Sequence, residues 1–195
     1  MRRPLILFTG AALASALLAG CTGSGPAPTT SPTPAPPPPP PYDLTPRAVR
    51  DFEVPLKPTV VAVGKLKITA IGLRTGMCCV VGTHAEWPAK GQYIYVRVQI
   101  QNADRDRQEF DGTEQFLITK DDRAHKIDIN AMNVKRQMFK VPMGAGNVLE
   151  MDLIYDIPKE ATVKAIRFTG TVTTAIGGIK TETQQQDVPL PPTSR

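Results

Sequence analysis

The sequence predicts an all-β domain, an antiparallel β-sandwich of about seven strands, preceded by a disordered proline-rich linker. Three observations predict it. From Ile94 to Ile100 every second residue is apolar and β-branched, while Tyr93, Tyr95, Arg97, Gln99 and Gln101 alternate with them. This is the period-2 pattern of a half-buried strand, and it marks the central strand of the domain. Short runs of similar character recur over residues 59–183, separated by Gly, Pro, Asn and Asp. No amphipathic helix of ordinary length interrupts them, which favours a sandwich, with a barrel as the alternative closure.

The chain opens with Met1-Arg2-Arg3 and a mostly apolar run from Leu5 to Leu18, too short to span a membrane alone. Leu18-Ala19-Gly20-Cys21 follows directly. This is an export signal, and it resembles a bacterial lipobox. The resemblance implies that residues 1–20 are a lipoprotein signal peptide. It also implies cleavage between Gly20 and Cys21, a diacylglyceryl group on the Cys21 sulfur and an acyl group on its new amine. Two or three acyl chains, at ~0.8 kcal/mol per buried CH₂, hold a protein stably where one would not. The expected location is the extracytoplasmic face of the cell membrane, bound through the lipid on Cys21. Cleavage removes Arg2 and Arg3 and lowers the formal charge from +5 to about +3. That modest charge, export, and the lack of an aromatic-and-basic repeat argue against a nucleic-acid partner.

From Thr22 to Pro46 the composition shifts to Pro, Thr, Ser, Ala and Gly, with consecutive prolines from Pro36 to Pro41. Such a segment buries too little apolar surface to order, and its prolines favour an extended rod of about 3.1 Å per residue. It reads as a spacer reaching on the order of 70 Å from the anchor. Residues 21–58 therefore form a linker with an extended lead-in, in which Pro46, Pro55 and Pro58 discourage a helix. The alternatives to a plain spacer are a docking motif for an aromatic-lined groove and glycosylated threonines.

Strands follow at Val60–Arg74, with a break at Gly64, and at Met77–Val81, closed by Gly82-Thr83. A loop through Trp87-Pro88 leads to Gly91 and the central strand, which ends at Asn102. Next come a charged turn over Ala103–Gln108, a strand Phe116–Thr119, its turn at Asp121-Asp122 and a return over His125–Ile129. Leu149–Tyr155 alternates again, Val163–Val172 and Ile176–Thr183 supply the last strands, and residues 184–195 read as a flexible tail.

The order of Gly91 before a Tyr-Ile-Tyr-Val-Arg-Val-Gln-Ile-Gln-Asn strand, Phe116-Leu117-Ile118-Thr119, Pro142 and Gly144, then Ile154-Tyr155-Asp156-Ile157-Pro158 resembles a known family. It is similar to the telokin-like, immunoglobulin-type domain of unknown function found in bacterial lipoproteins and secreted immunoprotective antigens. The resemblance spans about Val63 to Phe168. Asp122-Arg123 stands where such domains carry a glycine turn, Met143 separates Pro142 from Gly144, and Tyr155 replaces a Phe. The resemblance implies an immunoglobulin-like sandwich outside the cytoplasm and transfers no catalytic residue.

The residues themselves point away from catalysis. Ser15, Ser24, Ser31 and Ser194 are the only serines, so the domain lacks a serine nucleophile. His84 and His125 are the only histidines and fall in separate segments, without a metal-binding repeat. No cofactor is expected. Cys78 and Cys79 are the domain's only cysteines. Neighbouring Cα atoms lie ~3.8 Å apart, closer than the ~4.4 Å at which ordinary disulfides begin. The pair admits three readings: a strained vicinal disulfide, free or intermolecular thiols pointing to opposite faces of a strand, or a soft-metal or thiol-redox site with Met77 and His84. Trp87, the sole tryptophan, is either a partner contact or a plug closing one end of the sandwich. Lys135, Arg136 and Lys140, with Met138 and Phe139, read as a solvated face with two core residues, or as a surface for anionic lipid or polymer. The expectation is a non-catalytic binding or interaction module for an envelope protein or polymer. The alternative is a metal-binding or thiol-redox protein using Cys78, Cys79 and His84.

Overall fold

The computed structural model describes residues 48–174 and 180–192. The signal segment 1–20, Cys21 and the proline-rich spacer lie outside the described residues. Eleven strands run in chain order among them: β1 (Val54–Pro55), β2 (Val60–Val63), β3 (Leu66–Val81), β4 (Glu86–Asn102), β5 (Gln108–Asp111), β6 (Phe116–Thr119), β7 (Ala124–His125), β8 (Lys140–Met143), β9 (Val148–Ile157), β10 (Val163–Thr174) and β11 (Lys180–Pro189). Among the described residues one α-helix, α1 (Ile129–Val134), capped by the Asp128 carboxylate on the Ala131 N–H, precedes β8. Among the described residues no helix is long and apolar enough to cross a membrane.

The strands form an antiparallel sandwich. One sheet has the order β1-β3-β4-β9, with β2 on the same side of β3 as β1; the other has the order β11-β10-β6-β7; β5 and β8 pair separately. Ile68, Val96, Val98, Ile100 and Leu153 of the first sheet meet Leu117, Ile166 and Phe168 of the second in one core. Burying each such side chain stabilises the fold by about 1.5–3 kcal/mol. Pro55 and Pro58 interrupt the edge formed by β1 and β2, and proline on an edge blocks pairing with another chain. The opposite edge, β9, is covered by the α1 region. The Asp128 N–H donates to the Ile154 carbonyl at 2.8 Å, and the Asp152 N–H donates to the Gln137 carboxamide at 3.0 Å.

The central strand lies where the sequence places it, between β3 and β9, but it is buried on both faces. Tyr93 is 0%, Tyr95 4% and Arg97 1% exposed. At Arg97 the second face is closed by the lead-in, which folds back over it, whereas Tyr93 meets Asp128 at the start of α1 and Tyr95 lies under Arg74. Arg97 donates from Nε to Glu53 Oε1 at 2.9 Å and from Nη2 to Glu53 Oε2 at 2.7 Å, and from Nη1 to Glu150 at 3.0 Å. Arg50 adds paired contacts to Asp152, 2.8 and 3.1 Å, and one to Glu150. Gly72 admits this clasp, since a side chain there would collide with the Glu53 carboxylate.

Three further expectations change. About seven strands become eleven because bridges and short edge pieces carry no hydrophobic run of their own. The return expected over His125–Ile129 is two residues of strand followed by a helix, started by the Asp128 cap. The tail expected to fray from residue 184 is strand β11 as far as Pro189, paired with β10, and Val188 and Leu190 enter the core at 5% and 7% exposure. Its polar residues belong to an exposed face, so the two anchoring apolar residues near its end were outweighed in the sequence.

Candidate functional site

β3 and β4 are the longest strands, and their hairpin carries most of the residues singled out in the sequence. Its pairing is irregular. The register slips between Ala70 and Gly72, again between Arg74 and Met77, and between Met77 and Cys79. Gly76, with φ +72°, takes up the second slip. At the third, Cys78 alone on β3 faces Ala89–Gln92 on β4, because Met77 pairs with Tyr93 and Cys79 with Pro88. The strand's inside-outside alternation therefore lapses at the cysteines. They do not face opposite sides: their Sγ atoms lie 2.7 Å apart, with Cys78 exposed and Cys79 half-buried. The neighbouring thiol and the Glu86 carboxylate, with a smaller contribution from desolvation, push the Cys79 thiol up to about 12.

The extra residues of β4 are fastened to the β9–β10 turn. The Asp156 carboxylate accepts the Lys90 N–H at 2.8 Å and the Gly91 N–H at 3.1 Å. The Gln92 amide donates to the carbonyls of Lys159 at 2.8 Å and Ala161 at 3.0 Å. Gly91 is required here, since a Cβ would run into the Ile157 carbonyl and the Lys159 backbone. Two recesses flank this junction. One, of about 620 Å³, is lined by Lys90, Lys126, Lys159, Asp128, Asp156 and Pro158. The other, of about 390 Å³, is lined by Gly76, Met77, Cys78, Gln92, Lys159 and Glu160.

In the larger recess three ammonium groups stand against two carboxylates, and Asp156 is already engaged by backbone N–H groups. Asp128 is held too: it caps α1 and lies 3.3 Å from the Tyr93 hydroxyl, which shares its proton between that carboxylate and the Pro88 carbonyl. Burial, then the charges of Asp128 and Asp156, drive the Tyr93 hydroxyl well above the usual phenol range, so it acts as a donor and not as an acid. Lys126 is engaged as well, 3.7 Å from Glu114 and 5.5 Å from the centre of the Phe116 ring, which leaves Lys90 and Lys159 to face an acidic group.

Trp87 is not in a loop but in β4, opposite Val80. Val80 is fully buried while Trp87 is 41% exposed, beside exposed Val81. Gly82 lets the hairpin end lie against Val134 of α1. His84 is exposed in the hairpin turn, and the described residues contain no group of three or more His, Cys, Asp or Glu side chains able to hold a metal ion. The basic segment also resolves. Lys140 pairs with Asp111 at 2.8 Å and Phe139 packs on the core, but Met138, expected inside, is 62% exposed. Arg136, with φ +52°, turns the chain there and displaces Met138 from the strand pattern. Sequence reasoning missed Lys90, Lys126, Lys159 and Asp156, scattered singly along the chain; only the Gly91 and Pro158 turn signals hinted that they meet.

A family model described as "Domain of unknown function (DUF4352)" matches residues 59–176, which takes in β2 to β10 and therefore both recesses. Among solved structures the chain is similar to a conserved hypothetical protein from Bacillus anthracis, with 13% identity over 55% of this chain and 84% of that one and a TM-score of 0.45. It is also similar to the yjhA protein from Bacillus subtilis, with 17% identity over 54% of this chain and 76% of that one and a TM-score of 0.40. No curated protein matches the chain.

Proposed function

The chain belongs to the family described as Domain of unknown function (DUF4352), and on that premise we propose that it is an exported, lipid-anchored envelope lipoprotein. Its sandwich is an immunoglobulin-type, telokin-like module that binds a partner and catalyses nothing. The observation that carries the reading is the junction of β4 with the β9–β10 turn. Lys90 and Lys159, together with Lys126 that also pairs with Glu114, line a recess of about 620 Å³ there, and Lys90 lies in the strand that presents Trp87 at 41% exposure. An exposed tryptophan three residues before Lys90 on the same strand suits an acidic protein or polymer of the envelope, since the ring supplies contact area and the ammonium groups supply orientation. Export and anchoring are supported by the apolar run and by Leu18-Ala19-Gly20-Cys21. The absence of serine between Ser31 and Ser194 supports a non-catalytic role.

The test is a photo-activated cross-linker placed at position 87 in intact cells, combined with the Lys90→Glu/Lys159→Glu double variant. A discrete adduct at 87 that the double variant abolishes is the expected result. Equal labelling in both chains, or none beyond that of a cross-linker at exposed Val60, would remove the junction as the binding surface. Palmitate labelling of wild type but not of Cys21→Ser checks the anchor separately.

A further inference from the structure

We propose that Cys78 and Cys79 form a redox-active vicinal dithiol that exchanges with low-molecular-weight disulfides, with Cys78 attacking and Cys79 resolving. This activity stands apart from partner binding and requires no third ligand.

The geometry makes the assignment. Adjacent cysteines in a regular strand face opposite sides, but the register slip at Cys78 brings the two sulfurs within 2.7 Å. Of the two, Cys78 is exposed and lines a recess of about 390 Å³. That space accepts the body of a small thiol, and its wall carries Lys159 next to Glu160, which suits a small thiol that bears both a carboxylate and an ammonium group. Cys79 is half-buried, and the neighbouring Cys78 thiol and Glu86 carboxylate push its own thiol upward. A thiol held in its protonated form by such neighbours attacks late, as a resolving cysteine must.

The exchange balances without a further reagent. Cys78, as thiolate, attacks one sulfur of a disulfide RSSR; the S–S bond breaks, a Cys78–SR mixed disulfide forms and RS⁻ leaves. Cys79 then gives up its proton, attacks the Cys78 Sγ and expels the second RS⁻. The thiolates take up the two protons that the cysteines lose. The chain is oxidised by two electrons to the Cys78–Cys79 disulfide, and RSSR is reduced to two RSH.

The test treats the full chain with oxidised glutathione, quenches with acid and reads the tryptic peptide 75–90, which holds both cysteines and excludes Cys21. Wild type is expected to lose two hydrogens on that peptide with no glutathione attached, and to regain them with dithiothreitol. Cys79→Ser should accumulate one glutathione at Cys78, and Cys78→Ser should react at least about tenfold more slowly. Lys159→Glu should slow exchange with glutathione disulfide but not with neutral hydroxyethyl disulfide. Stable glutathione adducts on wild type, chains cross-linked through this peptide, or equal rates for the two serine variants would each overturn the proposal.

Discussion

Arg97→Met tests whether the lead-in is part of the folded domain. Arg97 and Glu53 are 1% and 2% exposed in their side chains, and Glu150, the second acceptor, is 16% exposed. Methionine fills most of the volume but leaves the Glu53 carboxylate buried without a cation. Breaking a buried pair by removing one partner costs about 3–5 kcal/mol. Glu53 accepts two charge-assisted bonds from Arg97, and Arg50 sits on Asp152 and Glu150. Glu53 keeps only its bond from the Arg50 N–H at 2.9 Å while the Arg50 guanidinium stays on Asp152 and Glu150, so we place the loss near 4 kcal/mol, a large part of the 5–15 kcal/mol typical of a domain. Urea unfolding followed by Trp87 fluorescence and by circular dichroism gives the number, if the two probes coincide. Glu53→Leu/Arg97→Met removes both charges and should be more stable than Arg97→Met alone, because an apolar pair strands nothing. An Arg97→Met midpoint within about 1 kcal/mol of wild type, or a double variant worse than the single, would refute the reasoning.

Two further outcomes follow from the same structure. A chain ending at Thr183 loses Val188 and Leu190 from the core, at about 1.5–3 kcal/mol each, with the ladder from Gln184 to Pro189 as well. Its melting temperature should fall by many degrees, and an unchanged one would return the tail to the solvent. His125 is held below the ordinary value of 6.5, first by burial and further by the Arg123 charge, against the opposing pull of Asp121. The folded chain thus binds this proton less readily than the unfolded one. Its contribution is intact above 6.5 and is lost as pH falls through the lower folded value. Urea midpoints measured from about pH 7 to about pH 5 should decline in wild type and decline less in His125→Gln; parallel slopes would exclude His125.

What could be read from the sequence was what depends on neighbouring residues. The alternation Ile94, Val96, Val98, Ile100 locates the central strand because burial of one sheet face imposes period 2 regardless of the rest of the fold. Phe116–Thr119 was delimited to the residue, since its turn is local: Asp122, with φ +62°, closes it. Arg97 shows the limit. On pattern alone it belongs to a solvated face, and nothing nearby tells that Glu53, forty-four residues earlier, will cover it. The one local trace is Gly72, a small residue where a strand would otherwise prefer a side chain, and it becomes meaningful only once the register is known.

The cysteines carry the same point from sequence to chemistry. In the sequence they are two neighbours whose strand geometry should separate them, and Gly91 is an ordinary turn signal ahead of a strand. Asp156 and Gln92 pin the extra residues of β4 to the β9–β10 turn. Pinned there, β4 cannot pair with Cys78, and β3 is free to bring the two thiols to one side. The contact between the sulfurs is therefore a consequence of the Gly91 junction. It follows that Gly91→Val, which cannot make the close approach to the Ile157 carbonyl and the Lys159 backbone, should disturb the thiol pair and the lysine recess together, although it alters no residue of either.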